Sequence, residues 1–214
     1  MSKFSYDTDK YGFLELVQKY LDFNNLQKIH EEYKFEEVLK EGTDQNQVLH
    51  RKFYDKMDAD DEFIKLYRSF IQQVVAPRYD EEVLYQRFPT FRVHQPSNLG
   101  TFGWHRDRDY NHSPCEVNYF LPMTKGYDTN TVWRESEPDK KDYAPMVVEY
   151  GEIIEWDGAN CEHGTKLNET SDTRVSFDFR ILPMSGYLKH KPKNSITKKT
   201  KFEIGGYFDV LQKG

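Results

Sequence analysis

Apolar residues recur at helical spacing through much of the first third of the chain. Tyr11, Leu14, Val17 and Leu21 form one such face, and Leu26, Ile29 and Tyr33 a shorter one. Phe63, Ile64, Tyr67, Phe70, Ile71 and Val74 form a third, which stops before Pro77. Between them, Asp44 to Asp61 is polar and mixed, with Val48, Leu49, Phe53 and Tyr54 as its anchors. These faces predict helices packed on a sheet. From about Val83 the pattern turns strand-like. Phe91-Arg92-Val93-His94 alternates, and Glu116 to Leu121 is rich in strand formers. Thr131-Val132-Trp133, Met146 to Glu149 and Ile153 to Trp156 are further strand candidates, with turns signalled at Tyr150-Gly151-Glu152 and Asp157-Gly158. Arg174 to Ile181 alternates so that Arg174, Ser176, Asp178 and Arg180 share a face. Short strands in series behind helices predict a mainly β barrel or sandwich, buttressed on one side.

No repeat, low-complexity segment or linker divides the 214 residues, a length that suits one domain. The expected organisation is a helical buttress over 1–80, a barrel core over 83–183 and a C-terminal extension over 184–214. A net charge of −6 disfavours a broad nucleic-acid surface. The basic residues Lys189, Lys191, Lys193, Lys198 and Lys199 read as a solvated loop. No apolar run approaches a membrane span, and Met1 to Asp7 lacks the apolar stretch of a secretory signal. A soluble, cytoplasmic protein is expected, with Cys115 and Cys161 as reduced thiols.

The candidate chemistry lies at Trp104-His105-Arg106-Asp107. In an extended segment, His105 and Asp107 project to the same face. His163 offers a second imidazole downstream. Two histidines and one carboxylate form the facial triad that holds non-haem Fe(II) and leaves positions open. A keto acid can take two of those positions and O2 the third. The far carboxylate of a chelating diacid also needs an anchor, and a bidentate arginine suits it best. Arg174 follows His163 by eleven residues on the next strand-like segment, and Ser176 adds a hydroxyl to the same face. A local zinc site at His105, Asp107, Asp109, His112 and Cys115 is the competing reading. It leaves His163 and Arg174 without a role.

The ordered set His105-Arg106-Asp107, His163 and Arg174 resembles the iron(II)/2-oxoglutarate-dependent oxygenases. The run from His163-Gly164 through Asn168 and Thr170 to Arg180 resembles the subgroup of streptomycin-biosynthesis-type hydroxylases, and the motifs span roughly residues 90 to 183. The resemblance implies a double-stranded β-helix, or jelly roll, with Fe(II) on His105, Asp107 and His163. It implies 2-oxoglutarate anchored by Arg174, helped by Asn118 and Ser176, and hydroxylation of an unactivated C–H with release of succinate and CO2. Halogenating relatives carry a small residue in place of the carboxylate, so Asp107 disfavours halogenation.

Residues flanking these motifs are candidates for a pocket that takes a small polar metabolite: Arg92, His94 and Gln95 before the metal motif, Arg106 within it, Trp133 and Glu135 on a strand edge, and Arg180 beside Arg174. An amino acid, a sugar and a natural-product intermediate all fit. Trp156 reads as core and Cys161 as a buried thiol. Two alternatives stay open: a cupin-type metalloenzyme that does not use 2-oxoglutarate, and a non-catalytic metabolite-binding barrel. Neither the substrate nor the oligomeric state is legible at this level.

Overall fold

The computed structural model of the chain describes residues 1–35, 47–100, 103–190, 192–196 and 200–211. An edge strand β1 (Ser2–Ser5) precedes three helices: α1 (Phe13–Leu21), α2 (Val48–Ala59) and α3 (Glu62–Phe70). The last runs on through a π turn at Ile71–Val75. Strands β2 (Val83–Gln86), β3 (Thr90–His94), β4 (Val117–Pro122) and β5 (Val132–Arg134) follow. Then come β6 (Ala144–Pro145), β7 (Glu152–Trp156), β8 (His163–Thr165) and β9 (Arg174–Pro183). Helix α4 (Met184–Lys189) and strand β10 (Phe208–Leu211) complete the described elements.

Strand β9 positions everything else. Its ten residues are long enough for β2 and β3 to pair along one edge while β4 covers the other. The larger sheet runs β1-β7-β4-β9-β2-β10, with β3 also on β9, and a smaller sheet runs β6-β5-β8. Every pairing between these strands is antiparallel. Phe120, Ile154 and Trp156 of the larger sheet pack with Val132 of the smaller one and with Met146 and Val148 just after β6, which joins the two face to face.

The alternation along β9 separates two environments. Val175, Phe177, Phe179 and Ile181 are fully buried in the core that the N-terminal helices complete. Phe177 meets Phe63 at 4.8 Å and Phe53 at 5.3 Å, and Phe179 stacks on Tyr119 at 5.1 Å. Burying each such side chain stabilises by about 1.5–3 kcal/mol. The opposite face carries Arg174, Ser176, Asp178 and Arg180 toward the smaller sheet, as the alternation predicts.

Two expectations change. The mixed stretch after Gln47 is helical, with Leu49, Phe53 and Met57 buried one turn apart. Val48, expected as an anchor, is 45% exposed, because it precedes that stripe by one residue. Ser2–Ser5, which carried no strand signal, pairs with β7 at the sheet edge. Of the basic C-terminal residues, Lys189 and Lys193 are exposed, while Lys191, Lys198 and Lys199 lie outside the described residues. Among the described residues, no helix is long and apolar enough to cross a membrane.

Candidate metal centre

A single β-bridge sets His105 opposite His163: each backbone N–H donates to the other's carbonyl at 2.9 Å. The ring centroids are 4.4 Å apart. Arg106 is extended (φ −111, ψ 139), so Asp107 returns to the face of His105, and a 3-10 turn over Asp107–Tyr110 begins there. Asp107 is further pinned by its N–H, which donates to the Gly158 carbonyl at 3.1 Å. The predicted i, i+2 geometry therefore holds across three residues and ends in a turn.

The His105 Nε2 and His163 Nε2 atoms lie 3.6 and 3.7 Å from Asp107 Oδ1. All three ligand atoms fall within 4.8 Å of one another. With bonds of about 2.0–2.2 Å to nitrogen and oxygen, one divalent ion spans the two distances to Asp107. The ring orientations also suit a metal. His163 Nδ1 donates to the Cys161 carbonyl at 3.0 Å, and His105 Nδ1 faces the Gly103 carbonyl at 3.3 Å. A carbonyl only accepts, so each Nδ1 carries the proton and each Nε2 keeps its lone pair. Burial holds the His163 imidazole down at about 4, outweighing the Asp107 charge, which keeps it neutral.

Asp107 is asymmetric. Its Oδ2 accepts from Arg180 Nε and Nη2, each at 2.8 Å, and from Asn118 Nδ2 at 2.7 Å. Its Oδ1 faces the imidazoles. Burial pushes the carboxyl up, but the Arg180 guanidinium outweighs it and holds it well below the usual carboxylate range.

The same cleft is lined by Arg174, which is 1% exposed. Its Nε donates to the Asn130 carbonyl at 2.8 Å and its Nη1 to Ser176 Oγ at 2.5 Å. Among the described residues, no carboxylate pairs with it. Burial lowers the guanidinium to about 10, with Arg92 adding to the effect. A buried cation without a counter-ion is costly, and an incoming anion is what would compensate it.

The other expected pocket residues separate into two groups. Arg92 and Arg180 line the cleft. Arg92 Nε donates to Asp178 Oδ1 at 2.8 Å, whereas Arg180 is engaged by Asp107. The remaining five do not line it, because other groups capture them. His94 lies behind Arg174 with its ring nitrogens 3.0 and 2.8 Å from the Asn130 and Asn98 carbonyls. Gln95 holds the chain at Tyr33 and Phe35. Arg106 pairs with Asp139, and the Trp133 indole donates to the Asp128 carbonyl at 2.8 Å beneath Lys166. Glu135, fully buried, accepts from the backbone N–H groups of Asp139, Lys141 and Glu162. Asn118, expected at the cosubstrate, instead turns its Nδ2 to Asp107.

The sequence reading missed Phe120, Val132, Trp156 and Asp178 as cleft residues. Trp156, read as core, packs edge-on against the His163 ring at 4.7 Å. Period-two alternation along β4 and β9 carries the signal for Phe120 and Asp178, which stand opposite each other in register. Trp156 stands opposite Asn118 on the neighbouring strand.

Two facing sheets with a His–Asp–His set and a buried arginine in one cleft define a facial-triad type of metal site. The chain is 36% identical over 210 residues to the streptomycin biosynthesis protein StrG of Streptomyces griseus, a match that covers 98% of each chain. It therefore belongs to the StrG family. The resemblance read from residues 90 to 183 is borne out, and the likeness extends over nearly the whole chain. No family model matches. Similar solved structures include the non-haem alpha-ketoglutarate-dependent carbocyclase SnoK from nogalamycin biosynthesis (12% identity, 97% of this chain, 88% of that chain, TM-score 0.49). EvdO2 from Micromonospora carbonacea var. aurantiaca is another (11% identity, 81% of this chain, 82% of that one, TM-score 0.49).

Proposed function

We propose that residues 1–214 form one Fe(II)- and 2-oxoglutarate-dependent oxygenase domain on a double-stranded β-helix scaffold. Its reaction is hydroxylation of an unactivated C–H of a small polar metabolite, with release of succinate and CO2. The observation that carries this reading is the buried guanidinium of Arg174, which pairs with no carboxylate among the described residues and lies in the same cleft as the triad. A metal site alone suits many reactions. A metal site facing a buried cation that lacks its anion suits a ligand with a carboxylate on the far end.

The donor set fits iron: two imidazoles and one oxygen of a carboxylate, with His105 partly exposed toward the cleft. When bound, the ion supplies the redox chemistry that couples decarboxylation of the keto acid to oxidation of the substrate. One atom of O2 enters the new hydroxyl and the other enters succinate. The protein's own groups do the rest. Arg174 and Ser176 bind the distal carboxylate of 2-oxoglutarate, and Phe120, Val132 and Trp156 line the cleft and keep water from it. The Arg92–Asp178 pair offers charge of both signs to a polar substrate. The relative's place in streptomycin biosynthesis supports a natural-product intermediate as the substrate class.

The test is anaerobic titration of the metal-free protein with Fe(II), then with 2-oxoglutarate, followed by a screen of metabolites for succinate release. A weak visible charge-transfer band on adding 2-oxoglutarate is the expected result. Iron binding with no band would remove 2-oxoglutarate from the reaction and leave a cupin-type metalloenzyme. No iron binding would remove the triad's role altogether.

A further inference from the structure

Arg180 reads from the sequence as a second anion contact or a structural ion pair, and Gly205-Gly206-Tyr207-Phe208 as a less specific part of the family resemblance. The structure joins them behind the metal centre. Arg180 spends Nε and Nη2 on one oxygen of Asp107, Oδ2, which also takes the Asn118 amide. Three N–H donors saturate that oxygen and leave Oδ1 as the one directed at His105 and His163. Its remaining nitrogen, Nη1, donates to the Tyr207 hydroxyl at 3.0 Å, and that hydroxyl donates to Gln86 Oε1 at 2.7 Å. Glu116, 2% exposed, stands 3.7 Å behind Nε and is itself held by His112 Nδ1 at 2.7 Å. Phe202 and Tyr207 pack on the His112 ring, so the C-terminal segment closes the back of the cluster.

We propose that Arg180 is a positioning residue that keeps Asp107 a one-oxygen metal ligand, and that Tyr207 holds Arg180 in that position. The inference rests on the facial-triad reading above. Its chemical reason is coordination number. A facial triad works only while three positions stay open, and a carboxylate free to chelate through both oxygens closes one of them. Oδ2 is engaged by a guanidinium fork with its own counter-charge at Glu116, so moving it onto the ion means breaking three hydrogen bonds. Asn118 cannot do this alone, since its single hydrogen bond to Oδ2 leaves the carboxylate free to rotate.

Two variants of the full chain test it: Arg180→Gln, which removes the fork, and Tyr207→Phe, which removes one hydroxyl and keeps the ring that packs on Phe202 and Phe208. The measurements are the Fe(II) dissociation constant, the 2-oxoglutarate dissociation constant of the iron-loaded protein without O2, and the carboxylate stretches in infrared difference spectra on adding iron. Outer partners of metal ligands typically change affinity by about 10–100-fold. The expected result for Arg180→Gln is Fe(II) affinity equal to or tighter than wild type, with 2-oxoglutarate bound at least about tenfold more weakly. The separation of the two carboxylate stretches should narrow, as for a chelating carboxylate. Tyr207→Phe should move all three in the same direction by a smaller amount. Unchanged 2-oxoglutarate affinity and infrared bands in both variants would overturn the proposal. So would loss of Fe(II) binding in folded Tyr207→Phe, since the cluster would then support the ion rather than govern denticity. Wild-type protein that binds no Fe(II) fails at the first titration, which identifies the facial-triad reading itself as the fault.

Discussion

Replacing Arg174 with Met separates what this residue does for the fold from what it does for a ligand. Burial lowers its guanidinium from its ordinary value to about 10. At about 1.4 kcal/mol per pH unit, holding the charge there costs the ligand-free protein roughly 3 kcal/mol. Met keeps most of the aliphatic length and removes the charge. It also removes the hydrogen bonds to the Asn130 carbonyl and Ser176 Oγ, worth about 1 kcal/mol each. The Asn130 carbonyl still has the His94 ring at 3.0 Å, which softens that loss. The difference is a gain of about 1 kcal/mol, or about 2–4 °C in melting midpoint for a chain of this size.

The ligand reverses the order. At about 100 times its dissociation constant, 2-oxoglutarate adds about 2.7 kcal/mol to the wild type. The variant, without its anchor, should gain almost nothing at that concentration. Thermal melts of iron-loaded protein under nitrogen, with and without 2-oxoglutarate, should therefore cross: Arg174→Met higher without the ligand, wild type higher with it. If Arg174→Met melts several degrees below wild type without ligand, the charge is already compensated within the fold. Arg174 would then not be the residue that binds the ligand's carboxylate.

Three further outcomes follow from particular contacts. His105→Ala and His163→Ala should each abolish 2-oxoglutarate turnover, measured as succinate release; retained turnover in either would remove that residue from the centre. Gly100→Ala should weaken 2-oxoglutarate binding by about 1–2 kcal/mol, some 5- to 30-fold, with Fe(II) affinity unchanged, because overpacking displaces groups at this cost. The new Cβ would stand 2.7 Å from His94 and 3.0 Å from Arg174 Nη2; equal binding would mean that the anchor tolerates displacement. His50, on α2, is fully buried, neither ring nitrogen has a hydrogen-bond partner among the described residues, and burial lowers it to about 3. Its unfolded form takes up a proton below about pH 6.5 that the folded form refuses, so folding weakens as pH falls, by up to about 1.4 kcal/mol per unit. His50→Leu should flatten this acid slope and raise stability at pH 7 by about 1 kcal/mol, read by urea melts at pH 7 and pH 5; an unchanged slope would mean that His50 is protonated or solvated in the fold.

The parts of this molecule legible in the sequence are those set by local geometry. Alternation over Arg174 to Ile181 identifies both faces of β9, because a strand has no other way to arrange its side chains. The i, i+2 spacing of His105 and Asp107 works for the same reason, although the strand ends at Asp107. What stays hidden is set by partners far along the chain. The pairing of Ser2–Ser5 with β7 joins segments about 150 residues apart, and four mixed residues carry no trace of it. Helix α2 buries Leu49, Phe53 and Met57 among charged neighbours, a stripe too narrow to stand out. The pocket assignments failed for a related reason. His94, Gln95 and Glu135 are polar residues near the site, but backbone groups of Asn98, Asn130, Tyr33, Phe35 and Glu162 claim them. A sequence shows which face a side chain takes, and it does not show which main-chain group will be waiting there.

The two arginines on one face of β9 make the same point about function. Arg174 and Arg180 are six residues apart, about 20 Å along the strand, and both line the cleft. As a sequence pattern they are interchangeable candidates for the anion anchor. Their surroundings put them in opposite electrical states. Burial disfavours the charge on both, but Asp107, Tyr207, Asp178 and Glu116 more than offset it at Arg180, whose guanidinium is held well above its ordinary range. Arg174 receives only distant help from Asp178 and is opposed by Arg92. An additional carboxylate arriving at Arg180 would meet a cation already shared between two anions, so little attraction would remain. At Arg174, which pairs with no carboxylate among the described residues, the same carboxylate would complete an ion pair. On the function proposed above, of two identical side chains on one strand, Arg174 serves as the anchor and Arg180 holds the metal ligand.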